Sequence, residues 1–529
     1  MMKIKKLPVG IQTFEKIRSD EYLYVDKTEY IYRLVTGGTV YFLSRPRRFG
    51  KSLTLSTLDA LFSGREELFK GLYIHDKWDW NRKYPVIRID WSKIRHGTPE
   101  ELERSLLTHL KIIARKNQME MLSEYASDYL GELIEELHRK TGEQAVILVD
   151  EYDVPILDAI GKSGEEIEAM QKALHSIYKV LKGTDEHIKF IFLTGISKFA
   201  GLSIFSALNN LKDITLSEEY AAICGITQEE LESNFSEYLD AVAEKLSSTR
   251  EKLLDDIRHW YNGYSWDGKT SVYNPFSVLL FFGEKEFKSY WFATGTPTFL
   301  ITLLKERNSV ESFLQPVHAS EAVFSRYNPE RLETIPLLFQ TGYLTIKEIP
   351  KDGDNKSVYT FEPPNEEVRD AFVSHLFGAY SELEMDEMTK LHADMQHQLK
   401  TGDSEGLERS LKAMIARVPY QLHIEEEKYY HSLLLVWLHF LGFKPQGEIS
   451  TNIGRIDAVW KLPEMTVIAE VKYSAKKSFL GKLLHKASKQ IYDRKYYEAW
   501  RNEPGKIVLV SIAFSGREVG CRIEMLNNS

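Results

Sequence analysis

Residues 39–62 read TVYFLSRPRRFGKSLTLSTLDALF, and their order decides the fold of the N-terminal half. An apolar, β-branched run ends at Ser44, a short loop closes on Gly50-Lys51-Ser52, and an amphipathic helical pattern follows. Strand, tight loop and helix in that order make a cradle for phosphate. Glycine at position 50 lets the backbone approach an anion, and the amides at the helix start point toward it. Lys51 can reach the β- and γ-phosphates, and the Ser52 hydroxyl can ligate Mg²⁺. The usual pattern GxxxxGK[ST] has glycine where this chain has Arg45, and Pro46 removes one loop N–H. The same letters can make a plain strand–turn–helix, so the reading needs a second element.

That element is AVILVDEYD (145–153), where Asp150 and Glu151 follow a buried apolar run. In a nucleotide hydrolase the first acid holds the Mg²⁺ shell and the next polarises the attacking water. Two acids at a strand end also serve as a solvated turn or helix cap; it is the pairing with GKS that favours a site. A third run, KFIFLTGISKF, ends in Thr194, Ser197 and Lys198, where a sensor of the γ-phosphate would sit, although a polar strand end is unremarkable by itself.

Outward from these motifs, Thr39–Ser44, Pro85–Asp90, Ala145–Asp150 and Lys189–Thr194 are short apolar runs of the kind that suit parallel strands covered on both faces. Helical patterns at 101–117 and 165–181 lie between them, so residues 1–215 read as an α/β layered domain with a parallel sheet. From Thr227, with Glu230 as a capping box, the texture turns helical. A helix, a hairpin around DGDN and a further helix across 330–378 resemble a winged-helix unit, and 386–418 is again helical. The expected division is 1–215, a helical lid at 216–325, a winged-helix-like and helical connector at 326–418, and an α/β domain at 419–529.

The last domain reads GEISTNIGRIDAVWKLPEMTVIAEVKYSAKKS over 447–478, with strand candidates at 454–460, 465–473 and 506–513. Alternation along a strand sends Glu470 and Lys472 to one face, and a neighbouring strand can bring Asp457 beside Glu470. Two carboxylates with a backbone carbonyl make a hard oxygen site for Mg²⁺ or Mn²⁺, which can activate water and stabilise charge on a phosphodiester. Lys472 would position or deprotonate that water, or neutralise the developing charge. A charged strand on an edge hairpin produces the same letters. Upstream, Glu427 on an amphipathic helix is a candidate third ligand, or a solvated first-turn charge. From Ser474 to Lys506 nine Lys/Arg stand against three Asp/Glu. That flank suits a phosphate backbone, with Tyr492, Tyr496, Tyr497 and Trp500 read as packing inward.

The motifs YVDKTEYIYRL (24–34), SRPRRFGKSLTLSTL, LVDEYD and FLTGISKF are similar to those of the bacterial AAA-ATPase-like family that is typically fused to a PD-(D/E)XK nuclease domain. The likeness continues through WYNGYSW (260–266), VYNPFSVL (272–279), LLFQTGYLTI (337–346) and PNEEVRDAF (364–372), almost the whole chain. The resemblance implies that RPRRFGKS is a family form of the loop. It maps Lys51, Ser52, Asp150 and Glu151 onto nucleotide and Mg²⁺ handling, in an expected contact set of Arg47, Arg48, Phe49, Gly50, Lys51, Ser52, Leu53, Asp150 and Thr194. Arg47 and Arg48 either contact phosphate or cover the loop with charge. The order helix Glu, GRID, AEVK, helix Gln likewise resembles the PD-(D/E)XK fold, implying Asp457, Glu470, Lys472 and Gln490 as catalytic residues and Glu427, Asp457 and Glu470 as metal ligands.

Bulk properties set the frame. The chain has 529 residues, 43% hydrophobic, 27% charged and 12% aromatic, with a formal net charge of −9. Nothing global attracts a polyanion, so nucleic acid must be met by a local basic surface. Two cysteines, Cys224 and Cys521, make no paired spacing and fit a reducing compartment. The N-terminus lacks the apolar run of a secretory signal, and the longest apolar stretch, Leu433–Phe443, is short of the roughly 20 residues of a span. A cytoplasmic protein without a membrane partner is expected. The expected function is an ATP-binding and ATP-hydrolysing, nucleotide-controlled nuclease on DNA, favoured over RNA; homo-oligomerisation is compatible with it. The alternative is a non-catalytic switch or scaffold that binds nucleic acid or a protein. No helicase motif series is present. A role in mobile elements or defence rests on analogy alone.

Overall fold

The computed structural model describes residues 4–198, 208, 210–291, 317–320, 334–350, 357–369, 371, 385–416, 430, 434–435, 437–438, 441–443, 445–450, 455–474, 480–501, 505–515 and 518–526. They fall into two compact units, one running to Thr296 and resuming over Gln315–Arg369, the other built mainly from Asp370–Ser529.

In the first unit, β1 (Val40–Ser44), β2 (Val86–Asp90), β3 (Ala145–Asp150), β4 (Ile188–Gly195) and the two-residue β5 (Lys212–Asp213) form one sheet in the order β2-β3-β4-β1-β5. Every pairing is parallel. The four apolar runs are its strands, and β1 and β3 are buried at every position. Helices on both faces account for this double burial. The helix Lys51–Phe62 turns Leu55, Leu58 and Leu61 inward directly after the loop. The helix Pro99–Lys116 starts where the Thr98 hydroxyl accepts the Glu101 amide, with proline in its first turn, and buries Leu102, Leu106 and Leu110 at helical spacing. The helix Gly164–Gly183 opens on a Ser163–Glu166 capping box, and Thr227 with Glu230 forms another.

The register aligns the functional ends of the strands. Leu43 pairs with Thr194, Ser44 with Gly195, and Asp90 with Asp150. Ligands of open parallel sheets bind at this carboxyl edge. Beyond the sheet lie the helices Arg250–Tyr261 and Pro275–Glu284, the latter capped by the Asn274 side chain. The helix Thr334–Thr341 precedes a hairpin of β7 (Thr345–Glu348) and β8 (Val358–Glu362), with residues 366–369 opening the next helix. The hairpin gains a third strand that the sequence did not announce, β6 (Val317–Ser320), in the order β6-β8-β7.

The second unit holds a five-stranded mixed sheet of β9 (Gln446–Ser450), β10 (Arg455–Leu462), β11 (Met465–Tyr473), β12 (Lys506–Ser515) and β13 (Glu518–Leu526), ordered β13-β12-β11-β10-β9. Only β11 and β12 run parallel. Alternation divides the sheet into two faces. Val467, Ala469 and Val471 join a core with Leu399, Leu407, Leu411 and Met414 of the helices Met385–Thr401 and Ser404–Ala416. Ile468 points the other way, to Ile491 of the helix Leu480–Asp493 and to Tyr496. Among the described residues no helix is long and apolar enough to cross a membrane.

Candidate functional site

At the end of β1 the chain must turn sharply into a helix. Gly50, the residue before that helix, has φ +100°, and a Cβ there would meet nothing within 4 Å, so the backbone conformation, not crowding, calls for glycine. Arg48 also sits at positive φ, 69°, a conformation that costs a side chain energy and marks the loop as held in shape. Lys51 is buried and folds back over the loop, its Nζ donating to the carbonyls of Arg45 (2.8 Å) and Pro46 (2.9 Å). Burial lowers its pKa, while Asp150, Glu151 and Asp153 act to keep it charged. Ser52 follows, half-buried in the first turn.

The remaining predicted residues take distinct places. Asp150 is 2% exposed, and the Thr194 hydroxyl donates to its Oδ1 at 2.7 Å. Thr194 itself has no exposed surface, so it orients Asp150 from behind. Glu151 has left-handed backbone, φ 53°. Burial pushes its carboxyl up; Lys51 opposes the rise, and Asp150 and Asp153 add to it. A raised carboxyl beside a phosphate loop has the proton affinity wanted of a general base. Lys198 pairs with Asp213 at 2.7 Å. Arg47 and Arg48 are exposed; the Arg48 guanidinium lies 4.8 Å from the Phe276 ring, and the Arg47 carbonyl accepts the Trp291 indole N–H at 3.1 Å. Phe49 is buried edge-on against Tyr264 (4.7 Å) and Trp266 (5.5 Å). Phe49, Gly50 and Leu53 also line a mostly apolar cavity of about 100 Å³ with Tyr24, Val25 and Ile226 opposite.

Two residues matter more than their letters suggest. Arg45, where the usual loop has glycine, is fully buried. Its Nη1 donates to the Ser44 (2.8 Å) and Thr215 (2.9 Å) carbonyls and its Nη2 to Tyr220 (3.3 Å), with the guanidinium 3.9 Å from the Trp266 ring. Arg45 is therefore the strut of the loop. Asp153, last of LVDEYD, is also fully buried, and its Oδ2 accepts the amides of Ile196 (3.0 Å) and Ser197 (2.7 Å) and the Ser197 hydroxyl (2.6 Å). It ties the end of β3 to that of β4. Gly195 permits the contact, since a Cβ would fall 2.6 Å from the Tyr152 ring.

In the second unit, paired positions of β10 and β11 run from Leu462–Met465 to Ala458–Ala469. One residue further Asp457 comes opposite Glu470, and there its carboxylate takes the ladder's place, Oδ2 accepting the Val471 amide at 2.8 Å. Glu470 has no exposed surface and Lys472 is 6% exposed; the Lys472 Nζ lies 2.7 Å from Glu470 Oε1 and donates to the Val471 carbonyl at 3.0 Å. Asp457, Glu470 and Lys472 thus surround the single residue Val471. On the helix Leu480–Asp493, Gln490 donates from its Nε2 to the Tyr496 hydroxyl at 3.2 Å. Burial raises the Tyr496 phenol against the Gln490 hydrogen bond, and Glu470 and Asp457 both add to the rise.

Tyr496, read from sequence as an inward-packing aromatic, is thus also a polar member of the cluster. Its signal was its place six residues after Gln490. Glu427 lies outside the described residues. Among the described residues no third His, Cys, Asp or Glu joins the two carboxylates. A carboxylate has two oxygens, so each can keep its present partner and offer a hard donor; such a set fits a divalent cation of the Mg²⁺ or Mn²⁺ type.

Comparison with known proteins finds a family match for each of the two sheet domains. Residues 8–205 match the family described as a predicted AAA-ATPase, and residues 425–523 match the PD-(D/E)XK nuclease superfamily. A protein of Azotobacter chroococcum mcd 1, described as an uncharacterized protein in the vnfD 5′ region, is 38% identical over 520 residues, 97% of each chain.

Proposed function

Because the chain belongs to the family that joins a predicted AAA-ATPase region to a PD-(D/E)XK nuclease superfamily domain, we propose that it is a nucleotide-controlled nuclease. It binds and hydrolyses ATP at the Lys51 loop and cleaves phosphodiester bonds of nucleic acid, DNA before RNA, at Asp457, Glu470 and Lys472. The observation that carries this reading is the convergence of those three side chains around Val471. The four segments 1–215, 216–325, 326–418 and 419–529 are its working parts.

On the nucleotide side, Lys51 exchanges its carbonyl partners for phosphate oxygens, Ser52 and Asp150 hold Mg²⁺, and Glu151 takes a proton from the attacking water. The apolar cavity beside Gly50 and Leu53 supports a nucleobase next to the phosphates. On the nuclease side, Asp457 and Glu470 hold a divalent cation, which supplies charge neutralisation at the scissile phosphate. Lys472, held by Glu470, sets an ammonium where the phosphate gains negative charge. Gln490 orients the Tyr496 hydroxyl.

The test is cleavage of DNA and RNA in Mg²⁺ or Mn²⁺, with and without ATP, by the wild type, Lys472→Ala and Lys51→Ala. Wild type cleaves and EDTA stops it; Lys472→Ala is inactive while still binding ATP; Lys51→Ala loses the response to ATP. Wild-type cleavage by Lys472→Ala would refute the site, and unchanged ATP binding and cleavage in Lys51→Ala would refute nucleotide control.

A further inference from the structure

A second polar cleft lies in the first unit, apart from the phosphate loop. Its volume is about 580 Å³, and it opens between the helix Arg250–Tyr261, the loop that follows it and the β7–β8 hairpin. Arg258, His259, Lys347 and Arg369 line it against two carboxylates, Glu362 and Glu366. Three permanent cations, Arg258, Lys347 and Arg369, stand against the two carboxylates, so the lining keeps a net positive charge. Glu366 sits 3.8 Å from His259 Nε2, and both Arg258 and Arg369 are exposed. Arg258 pairs with its helix neighbour Asp255 at 2.7 Å, an exposed pair of the kind that gives way readily to a stronger anion.

The walls are built to keep their shape. Lys347 Nζ is fixed by the Pro364 carbonyl at 3.2 Å; burial lowers its pKa, Glu362 opposes that fall and Arg369 adds to it. A Cβ on Gly263 would fall 2.0 Å from that same carbonyl, so residue 263 must be glycine for the two walls to meet, and its φ of +110° asks for the same residue. The Asn262 side chain is held by the Gly263 amide (2.7 Å) and the Ser271 hydroxyl (2.9 Å). Among the described residues no Phe, Tyr or Trp lines the cleft. A nucleobase would want such a surface to stack on. A phosphate wants only converging cations and amides.

We propose that this cleft is a phosphate-binding site separate from the Lys51 loop, with Arg258, Lys347 and Arg369 as the recognising cations, for the phosphodiester of a nucleic-acid strand or for free phosphate. Being a matter of binding, it stands whether or not the second unit cleaves.

The experiment uses the full chain. A fluorescein-labelled single-stranded oligonucleotide is titrated in EDTA at several salt concentrations. Inorganic pyrophosphate is titrated by calorimetry with ADP already saturating the Lys51 site. The variant is Arg258→Gln/Arg369→Gln, both exposed positions whose loss leaves the fold intact; unchanged ADP affinity verifies that. If the cleft holds a strand, oligonucleotide affinity falls about tenfold, and the slope of log K against log salt falls by about 1.4, two single-strand phosphate contacts at about 0.7 each. If it serves free phosphate, pyrophosphate affinity falls and the oligonucleotide curves stay in place. Curves for the variant that overlay the wild type in both titrations overturn the proposal.

Discussion

Arg45→Ala is the perturbation whose cost follows most directly from the structure. The side chain makes two good hydrogen bonds, 2.8 and 2.9 Å, to the Ser44 and Thr215 carbonyls, and a longer one to Tyr220. Bonds from a charged donor contribute about 1.5–3 kcal/mol each. The guanidinium stacked 3.9 Å from Trp266 adds about 2 kcal/mol when desolvated. Against this gross gain of about 5–8 kcal/mol stands the cost of burying the charge. Burial lowers the Arg45 pKa from its ordinary value to about 10, which at 1.36 kcal/mol per pKa unit is about 3 kcal/mol. The net loss on truncation is therefore about 2–5 kcal/mol, and the melting temperature of the first unit should fall by about 3–7 °C.

Calorimetry reads this, the first unit being the transition that ADP shifts upward. Arg45→Lys should recover less than half of the loss, because an ammonium cannot fork to two carbonyls while lying flat on an indole. Arg45→Gly, which restores the usual phosphate-loop residue, should be worse than Arg45→Ala. An Arg45→Ala protein melting within 1–2 °C of the wild type, with ADP affinity unchanged, would refute the strut.

Two other outcomes are expected. Glu151→Gln should retain ATP affinity within about threefold and lose about 10²–10⁴ in hydrolysis rate, as phosphate release would show; a loss under tenfold removes Glu151 from that role. Glu367 is fully buried, accepting the Ser277 hydroxyl and the Trp291 amide, and burial raises its carboxyl from 4.5 to about 7. An acid raised on folding binds its proton more tightly in the folded state. Its contribution is thus full below pH 4.5 and is lost as pH rises to about 7, by about 3 kcal/mol. Glu367→Gln removes that slope, so its stability relative to wild type should climb across this window and level off above it; parallel stability–pH curves would contradict the assignment.

The strands of the first sheet were legible because a strand covered on both faces has little choice but to be apolar: VYFLS and AVILVD carry their burial in their letters. β9 and β13 were not, because they are the edges of their sheet and QGEIS and EVGCRIEML mix charge with apolar residues, as edges do. β5 is two residues long and exists only through its neighbour β1. Lys51, Asp150, Glu470 and Lys472 could be read because local order fixes them: a loop between strand and helix, a strand end, and alternation. The roles of Arg45, Asp153 and Tyr496 depend on partners 26 to 175 residues away in sequence, such as Thr215, Ser197 and Glu470, and no local pattern names a partner.

The buried arginine also bears on where this protein can be cut. Thr215, Tyr220 and Trp266, which receive its guanidinium, all lie beyond residue 205, where the match to the predicted AAA-ATPase family ends. Gly342, whose Cβ would fall 2.8 Å from the Pro46 ring, lies further on still. A fragment trimmed to the matched segment would strand a cation in an apolar interior and strip the backing from its own loop. Expression of the N-terminal portion as an independent module should carry the chain through Arg369.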